Sequence, residues 1–111
     1  MKSTVINAAR EAGKILKENF GGDFKIESKD VISNLVTEID KLSEKKIIEI
    51  IKKDHPGHYI LSEEAGALIQ DSEYKWLIDP IDGTVNYAHG IPITCVSIAL
   101  EKSGEIILGA V

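Results

Sequence analysis

The sequence has too little cysteine for an internal disulfide and no apolar run long enough to cross a membrane. Cys95 is the only cysteine in 111 residues, so no disulfide can form within the chain. No stretch approaches the roughly 20 apolar residues that a spanning helix needs, and the first residues lead into an amphipathic segment, unlike a signal peptide. We therefore expect a cytoplasmic protein without a membrane partner.

Basic residues are also scarce. The 13 Lys and Arg are outnumbered by 18 Asp and Glu, which gives a formal net charge of −5. No basic run interleaves with aromatic residues, which argues against nucleic acid as a partner. The hydrophobic fraction of 43% and the charged fraction of 28% are those of an ordinary globular domain. An acidic protein that handles an anion needs local positive charge, from bound metal or a helix amino terminus.

Apolar spacing predicts a first helix, capped by Ser3 or Thr4 and running to about Asn19. The two glycines at 21–22 are expected to end it. An extended stretch at 24–27, followed by a polar turn at 28–30, predicts a hairpin.

Thr37 is predicted to open a second helix, with Asp40 at capping-box spacing, and the turn at 55–57 to end it. Its apolar face is wide, which suggests cover by a further layer or subunit. That face comprises Ile39, Leu42, Ile47, Ile50 and Ile51.

The second half reads as short strands separated by turns. Strands are predicted at 59–61, 74–78, 94–100 and 106–111, the last two joined by a hairpin loop at 102–105.

The segment that carries chemistry follows the second of these strands. Asp79 ends the strand, Pro80 cannot continue the ladder, and Asp82 comes close behind, so both carboxylates can face one point. Hard oxygen ligands of this kind suit Mg²⁺. Gly83 and Thr84 follow, where backbone N–H groups can meet an anion at the start of a helix. Asp-Pro and Asp-Gly are also common turn dipeptides, so on this motif alone a plain turn remains equally open.

Other candidates are weaker when taken singly. Glu63 and its neighbour Glu64 follow a short strand, which more often marks a solvated loop. Asp40 alone suits a cap or an exposed helix position, and Lys29 alone suits the surface. The histidines lie in turns without a partner at metal spacing, and the cysteine alternates with strand residues as a core position would. These residues are His55, His58, His89 and Cys95.

Taken together and in order, these pieces resemble the inositol monophosphatase family of lithium-sensitive, magnesium-dependent phosphatases. Residues 79–84, D-P-I-D-G-T, match its D-P-[IL]-D-G-T signature without a mismatch. Residues 34–40, N-L-V-T-E-I-D, are similar to its D-L-V-T-x-x-D stretch, with Asn34 in place of Asp. Residues 61–64, L-S-E-E, are similar to its G-E-E-S segment, with Ser62 in place of Gly and Ala65 in place of Ser.

The resemblance implies a site with two or three Mg²⁺ ions in the complete family fold. Their ligands would be Glu63, Asp79, Asp82 and the backbone carbonyl of Ile81. Three of these ligands, Glu63, Ile81 and Asp82, are also expected to contact the substrate. The backbone N–H groups of Gly83 and Thr84 would bind its phosphate.

The resemblance also implies the catalytic groups. The Thr84 hydroxyl, oriented by Asp40, would polarise the attacking water, and Lys29 would support the metal cluster. The nucleophile is water, so no covalent phospho-enzyme is expected. The reaction is magnesium-dependent hydrolysis of a phosphate monoester.

The fold implied by the resemblance is of the α+β class, a layered α/β sandwich of the inositol monophosphatase / sugar phosphatase type. This chain would supply its first helix pair and part of a first, mostly antiparallel sheet. Residues 1–111 would be the amino-terminal, metal-binding portion, with the carboxyl-terminal half absent, and relatives are commonly homodimers. The implied substrate is inositol 1-phosphate or a similar sugar phosphate; fructose 1,6-bisphosphate, a 3′-phosphonucleotide, or a non-catalytic metal- or phosphate-binding fragment are the alternatives.

In the family that the chain resembles, another metal-binding Asp and much of the substrate pocket lie in the carboxyl-terminal half. The resemblance therefore predicts weak metal binding and little catalysis for residues 1–111 alone. We expect the purified 111-residue chain to bind Mg²⁺ weakly and to hydrolyse little or no phosphomonoester. A colorimetric phosphate-release assay with a simple phosphomonoester measures this. Turnover near that of full-length relatives would contradict it.

Overall fold

The computed structural model describes residues 1–20, 29–63 and 65–111, and for residues 29–37 it describes the backbone only. Its helices are α1 (Lys2–Asn19), α2 (Lys29–Asp54) and α3 (Thr84–Ala88). Its strands are β1 (Tyr59–Ser62), β2 (Gly66–Leu68), β3 (Tyr74–Asp82), β4 (Cys95–Lys102) and β5 (Glu105–Ala110). The helices and the mixed sheet confirm the predicted α+β fold.

Helix α1 confirms the predicted extent, but its start is not capped as predicted. Met1 is the N-cap, and no side chain caps α1 within the described residues. Thr4 is buried at 2% exposure, and its hydroxyl donates to Asp54 Oδ2 at 2.8 Å. Thr4 therefore ties the start of α1 to the end of α2. Val5, Ala12 and Leu16 of the predicted apolar face are buried. The other two predicted positions, Ala9 and Phe20, are only partly buried against the core, and the neighbouring Ala8 is buried instead.

Helix α2 begins at Lys29, well before Thr37, so the predicted start and the capping box at Asp40 are wrong. The predicted turn at 28–30 is also wrong, because Lys29 and Asp30 are helical. The segment after it, which was predicted to form the second strand of the hairpin, is helical as well. Residues 21–28, with the predicted glycine stop and extended stretch, lie outside the described residues. β-Branched residues at 31–36 favour a strand locally, but tertiary packing commonly overrides such propensities.

The end of α2 at Asp54 confirms the prediction, and its apolar face is narrower than predicted. Ile39, Ile47 and Ile51 are buried, whereas Leu42 is 52% exposed. Ile50 and Ile48 lie at the margin of the core. Helices α1 and α2 pack on each other, α2 contacts β3, and α1 contacts β4 and β5.

The sheet has the order β2-β1-β3-β4-β5. Only the β1–β3 pair is parallel, and the others are antiparallel, which confirms the mostly antiparallel expectation. Strand β2 was not predicted, because a three-residue strand with glycine and alanine carries little strand signal. The remaining strand and hairpin predictions are confirmed to within a few residues, except at the end of β3.

Alternation along the strands separates two faces of the sheet. Trp76 and Ile78 of β3, and Ile98 and Leu100 of β4, are buried in the core beneath the helices. The odd-numbered residues of β4, and those of β3 as far as Asp79, therefore point to the opposite face. Beyond Asp79 the alternation of β3 changes, and Ile81 is buried in the core. The helices cover one face of the sheet, and Asp79 lies on the other.

Two histidines at the end of α2 have structural partners that the sequence did not predict. His55 and His58 lie in the predicted turn region and stack with ring centroids 4.6 Å apart. His58 also stacks on Tyr74 at 4.7 Å, and Trp76 Nε1–H donates to His58 Nδ1 at 3.0 Å. The turn is thereby fastened to the core through Trp76.

Protonation of His58 should destabilise the fold. Burial lowers the pKa of His58 below 6.5, and the nearby His55 lowers it further. The unfolded chain then binds the proton more readily, so the free energy of unfolding should fall as pH drops through about 6.5. A protonated Nδ1 also cannot accept from Trp76. Urea unfolding at about pH 7.5 and about pH 5.5 measures this.

The control for this prediction is His58→Asn, whose amide oxygen can accept from Trp76 but does not titrate in this range. The loss of stability between the two pH values should be smaller in the variant than in the wild type. An equal loss would show that His58 does not carry the effect.

Candidate metal and phosphate site

The site depends on an irregularity in β3. Asp79 pairs with Ser97 and Asp82 pairs with Cys95, so three steps along β3 face two along β4. This is a β-bulge, with buried Pro80 inside it. In a regular strand Asp79 and Asp82 would point to opposite faces; the extra residue brings them to the same one.

The bulge also corrects a sequence prediction. Pro80 was expected to end the strand, yet β3 continues to Asp82. Pro80 lacks an N–H group and is tolerated at a bulge, where the ladder is already interrupted. Further along, the Thr94 hydroxyl donates to the Asp82 carbonyl at 2.7 Å and holds the end of β3 against the start of β4.

Asp79 carries the strongest indication of a cation-binding position. Its Oδ1 atom is buried and has no hydrogen-bond partner within the described part of the chain. A carboxylate oxygen withdrawn from water without a donor is costly unless a positive charge or a donor compensates it. A divalent cation accepts such a hard oxygen directly. The donor at this position therefore fits Mg²⁺.

Asp79 and Asp82 both act electrostatically on Cys95. Burial raises the pKa of the Cys95 thiol, and the negative charges of Asp82 and Asp79 raise it further. The thiol lies 3.9 Å from Asp82 Oδ2. Cys95 is only partly buried, so its prediction as a core residue is wrong: its position in β4 places it on the same face as Ser97, and the bulge in β3 brings Asp82 opposite it.

Glu63 lies near Asp79, at the side of β3 that faces β1. Its backbone N–H donates to the Ile78 carbonyl at 3.4 Å, and Glu63 and Asp79 line one cavity of about 680 Å³ on the open face of the sheet. The side chain of Glu63 is exposed. Its neighbour Glu64 lies outside the described residues.

The three predicted carboxylates do not form a complete ligand cluster. Among the side chains of residues 1–20, 38–63 and 65–111, no three His, Cys, Asp or Glu lie together as a group that could hold a metal ion. The structure brings Asp79 near each of the other two in turn. The metal-ligand set of Glu63, Asp79, Asp82 and the Ile81 carbonyl stays a prediction.

The predicted phosphate loop has the geometry of a close backbone approach. Gly83 has a φ of +82° and is the N-cap of α3. A Cβ atom there would lie 2.7 Å from the Ile93 carbonyl oxygen, so only glycine fits. The Thr84 hydroxyl points back to the Ile81 carbonyl at 3.4 Å. Helix α3 thus starts where the sequence predicted one.

Helix α3 is anchored to α1 through Tyr87. The Tyr87 hydroxyl donates to the Leu16 carbonyl at 2.9 Å, and its ring packs edge-on against Phe20 at 5.6 Å. Burial raises the pKa of Tyr87, and the negative charge of Asp40 raises it further. Asp40 is therefore near α3, on the buried side of α2. Its predicted pairing with Thr84 stays a prediction, and the side chain of Lys29 lies outside the described residues.

Two buried polar residues of α2, Ser43 and Glu44, were not predicted from the sequence. Both contact the acidic segments: Ser43 bonds to Pro80 and Glu44 to Ser62 and Ala65. They lie in the polar stretch K-L-S-E-K-K at 41–46, which reads as a solvated helix face. Ser43 and Glu44 lie three and four residues after Asp40, and this spacing was the one sequence feature that could have placed them on the same side of the helix as Asp40. His89, predicted as a loop residue, is exposed and contacts the Val85 carbonyl.

Comparison with known proteins gives a consistent family. The model of the inositol monophosphatase family matches residues 1–111. A fructose-1,6-bisphosphatase/inositol-1-monophosphatase from Aquifex aeolicus is 49% identical over 106 residues, 94% of this chain and 40% of that protein. Nus factor SuhB from Haemophilus influenzae is 42% identical over 113 residues, 100% of this chain and 42% of that protein.

A solved structure agrees. The extragenic suppressor protein SuhB from Bartonella henselae superposes with a TM-score of 0.82 at 36% identity, covering 96% of this chain and 41% of that one. The chain therefore spans about two-fifths of the length of the relatives that it matches. The resemblance stated from the sequence motifs is confirmed.

The close approach at Gly83 predicts a specific cost for a methyl group. Gly83→Ala should lower the free energy of unfolding through φ strain of about 1–2 kcal/mol and by roughly 1–3 kcal/mol more through overlap with the Ile93 carbonyl. Gly90→Ala is the matched control, because Gly90 has a φ of +70° but nothing within 4 Å of a Cβ. Urea unfolding of both variants measures the difference. Equal losses would show that the loop yields to the methyl group.

Proposed function

This chain belongs to the inositol monophosphatase family, and we propose that it supplies the amino-terminal, magnesium-binding part of a site that hydrolyses phosphate monoesters. The observation that carries the proposal is the buried Asp79 Oδ1 without a hydrogen-bond partner among the described residues. A buried carboxylate that the fold leaves uncompensated is a natural place for a cation. The family match gives that cation its chemical role.

The proposed Mg²⁺ ligands are Glu63, Asp79, Asp82 and the Ile81 carbonyl. When bound, magnesium supplies Lewis acidity and a more acidic water. The chain's own contribution is orientation: β3 and its bulge present Asp79 and Asp82 on one face, and the segment after β1 presents Glu63 beside Asp79. Two or three ions are proposed for the complete site.

The proposed phosphate contacts are the backbone N–H groups of Gly83 and Thr84. Such preorganised donors stabilise charge on a transferring phosphoryl group without reorganisation. We assign to Thr84, oriented by Asp40, the positioning of the attacking water. In support, the Thr84 hydroxyl already lies at the Ile81 carbonyl, one of the proposed ligands, and Asp40 is near α3.

The proposed substrate is inositol 1-phosphate or a similar sugar phosphate. The name of the Aquifex aeolicus relative supports this class and keeps fructose 1,6-bisphosphate as an alternative. A 3′-phosphonucleotide is the third member of the class. A cytoplasmic homodimer is proposed, with the exposed Leu42 of α2 as one position that a partner subunit can cover.

A second candidate function is a non-catalytic module that binds metal or phosphate. One observation favours it: among the described side chains, no three His, Cys, Asp or Glu lie together as a group that could hold a metal ion. The Haemophilus influenzae relative is named Nus factor SuhB, a name that mentions no phosphatase activity. A phosphatase panel on a chain extended to full family length, with and without Mg²⁺ and Li⁺, separates the two candidates.

The cation proposal predicts opposite effects of one substitution. Asp79→Asn should weaken Mg²⁺ or Mn²⁺ binding by at least about tenfold, which is about 1.4 kcal/mol. It should also raise the metal-free stability, because it removes a buried charge that lacks a described partner. Calorimetric titration and metal-free urea unfolding measure the two effects. Asp82→Asn should weaken binding as well.

The control is Asp71→Asn, which removes an exposed carboxylate outside the site. It should leave both measurements unchanged and so account for the change in net charge. Unaltered metal affinity in Asp79→Asn would remove the basis of the proposal. Lower metal-free stability in that variant would mean that Asp79 serves the fold and not a cation.

A further inference from the structure

Helix α2 carries a buried polar face directly behind the two acidic segments. Asp40, Ser43 and Glu44 are 9%, 0% and 9% exposed. Because they are three and four residues apart, they lie on one side of the helix. Burial of three polar side chains in a row is costly unless each is satisfied. The contacts of Ser43 and Glu44 show what that face does.

Ser43 holds the segment that bears Asp79 and Asp82. Its hydroxyl donates to the Pro80 carbonyl at 3.0 Å in a buried hydrogen bond. Pro80 lies inside the bulge, where its carbonyl has left the regular ladder. The hydrogen bond therefore fixes the bulge to α2 at Pro80, which lies between Asp79 and Asp82 in the sequence.

Glu44 holds the segment that bears Glu63. Its Oε2 atom accepts from the Ser62 hydroxyl at 2.9 Å and from the Ala65 N–H at 3.1 Å. These donors flank Glu63 on both sides. One carboxylate oxygen of Glu44 therefore fixes the backbone on both sides of Glu63. The exposed Glu63 side chain lines the same cavity as Asp79.

We propose that Ser43 and Glu44 are positioning residues that fix the Glu63 segment and the Asp79–Asp82 segment relative to each other through adjacent positions of one rigid helix. This inference rests on the proposed function and adds to it residues that touch neither metal nor substrate. Groups that orient metal ligands commonly change metal affinity about 10- to 100-fold when they are removed. The expected deficit is therefore in cation affinity.

The test compares Glu44→Ala with Glu44→Gln and with Glu49→Ala, which removes an exposed carboxylate from the same helix. Calorimetric titration of Mn²⁺ into the 111-residue chain should show a loss of about 10- to 100-fold for Glu44→Ala. Glu44→Gln keeps an oxygen acceptor for both donors and should stay within about threefold of the wild type. Glu49→Ala should match the wild type.

Hydrogen exchange at the Ala65 amide supplies a readout independent of metal. Protection should be lost in Glu44→Ala and kept in Glu44→Gln. Should Glu44→Ala fail to fold, Ser62→Ala removes one of the two donors and should give a loss of about threefold or more. Wild-type affinity in Glu44→Ala, or in Ser62→Ala when that variant replaces it, would overturn the inference. A loss of Mn²⁺ affinity in Glu44→Gln as large as in Glu44→Ala would overturn the inference as well. It would show that the negative charge of Glu44, and not its hydrogen bonds to Ser62 and Ala65, supports binding.

The two proposals fail differently. If the wild type binds Mn²⁺ and Glu44→Ala binds it equally well, the positioning role is wrong and the proposed function stands. If the wild type binds no Mn²⁺ at millimolar concentration while Ala65 remains protected, both the metal proposal and the inference built on it are wrong.

Discussion

One extra residue in β3 determines whether this chain can hold a cation. The side chains of a strand alternate between faces, so Asp79 and Asp82 would diverge without the bulge at Pro80. With it, both carboxylates act on the same thiol at Cys95. Proline suits this position since the bulge spares it a ladder hydrogen bond. The D-P-I-D motif therefore sets the geometry of β3 in addition to supplying the proposed ligands.

The division of the sheet into two faces explains why the site carries uncompensated charge. Helices α1 and α2 cover the face that carries Trp76 and the aliphatic core, and this face supplies the stability. The opposite face carries Asp79, with one buried oxygen that lacks a partner within the described residues. Functional sites commonly retain groups that cost stability until a ligand binds. Helix α2 joins the two roles, because it contributes Ile47 to the core and Glu44 to the acidic segments.

Local patterns in the sequence predicted most of the fold, and long-range contacts account for what they missed. The apolar spacing of α1 and the hairpin of β4 and β5 are local features, and both are confirmed. The predicted start of α2 was wrong because the β-branched residues at 31–36 have a local strand propensity, whereas this segment is helical. Thr4 was wrongly predicted as a cap because its partner Asp54 lies at the far end of another helix. At the site, Asp79 and Gly83 were identified from a contiguous motif, whereas Glu44 depends on contacts with Ser62 and Ala65 that no local pattern encodes.

A divalent cation at Asp79 is the central claim. Crystals of this chain soaked in Mn²⁺ allow a direct test through anomalous scattering, since the ion is located independently of the protein phases. We expect an anomalous peak within about 2.5 Å of Asp79 Oδ1, on the face of the sheet away from α1 and α2. A map without a peak at Asp79, or with Mn²⁺ bound only elsewhere, would contradict that claim.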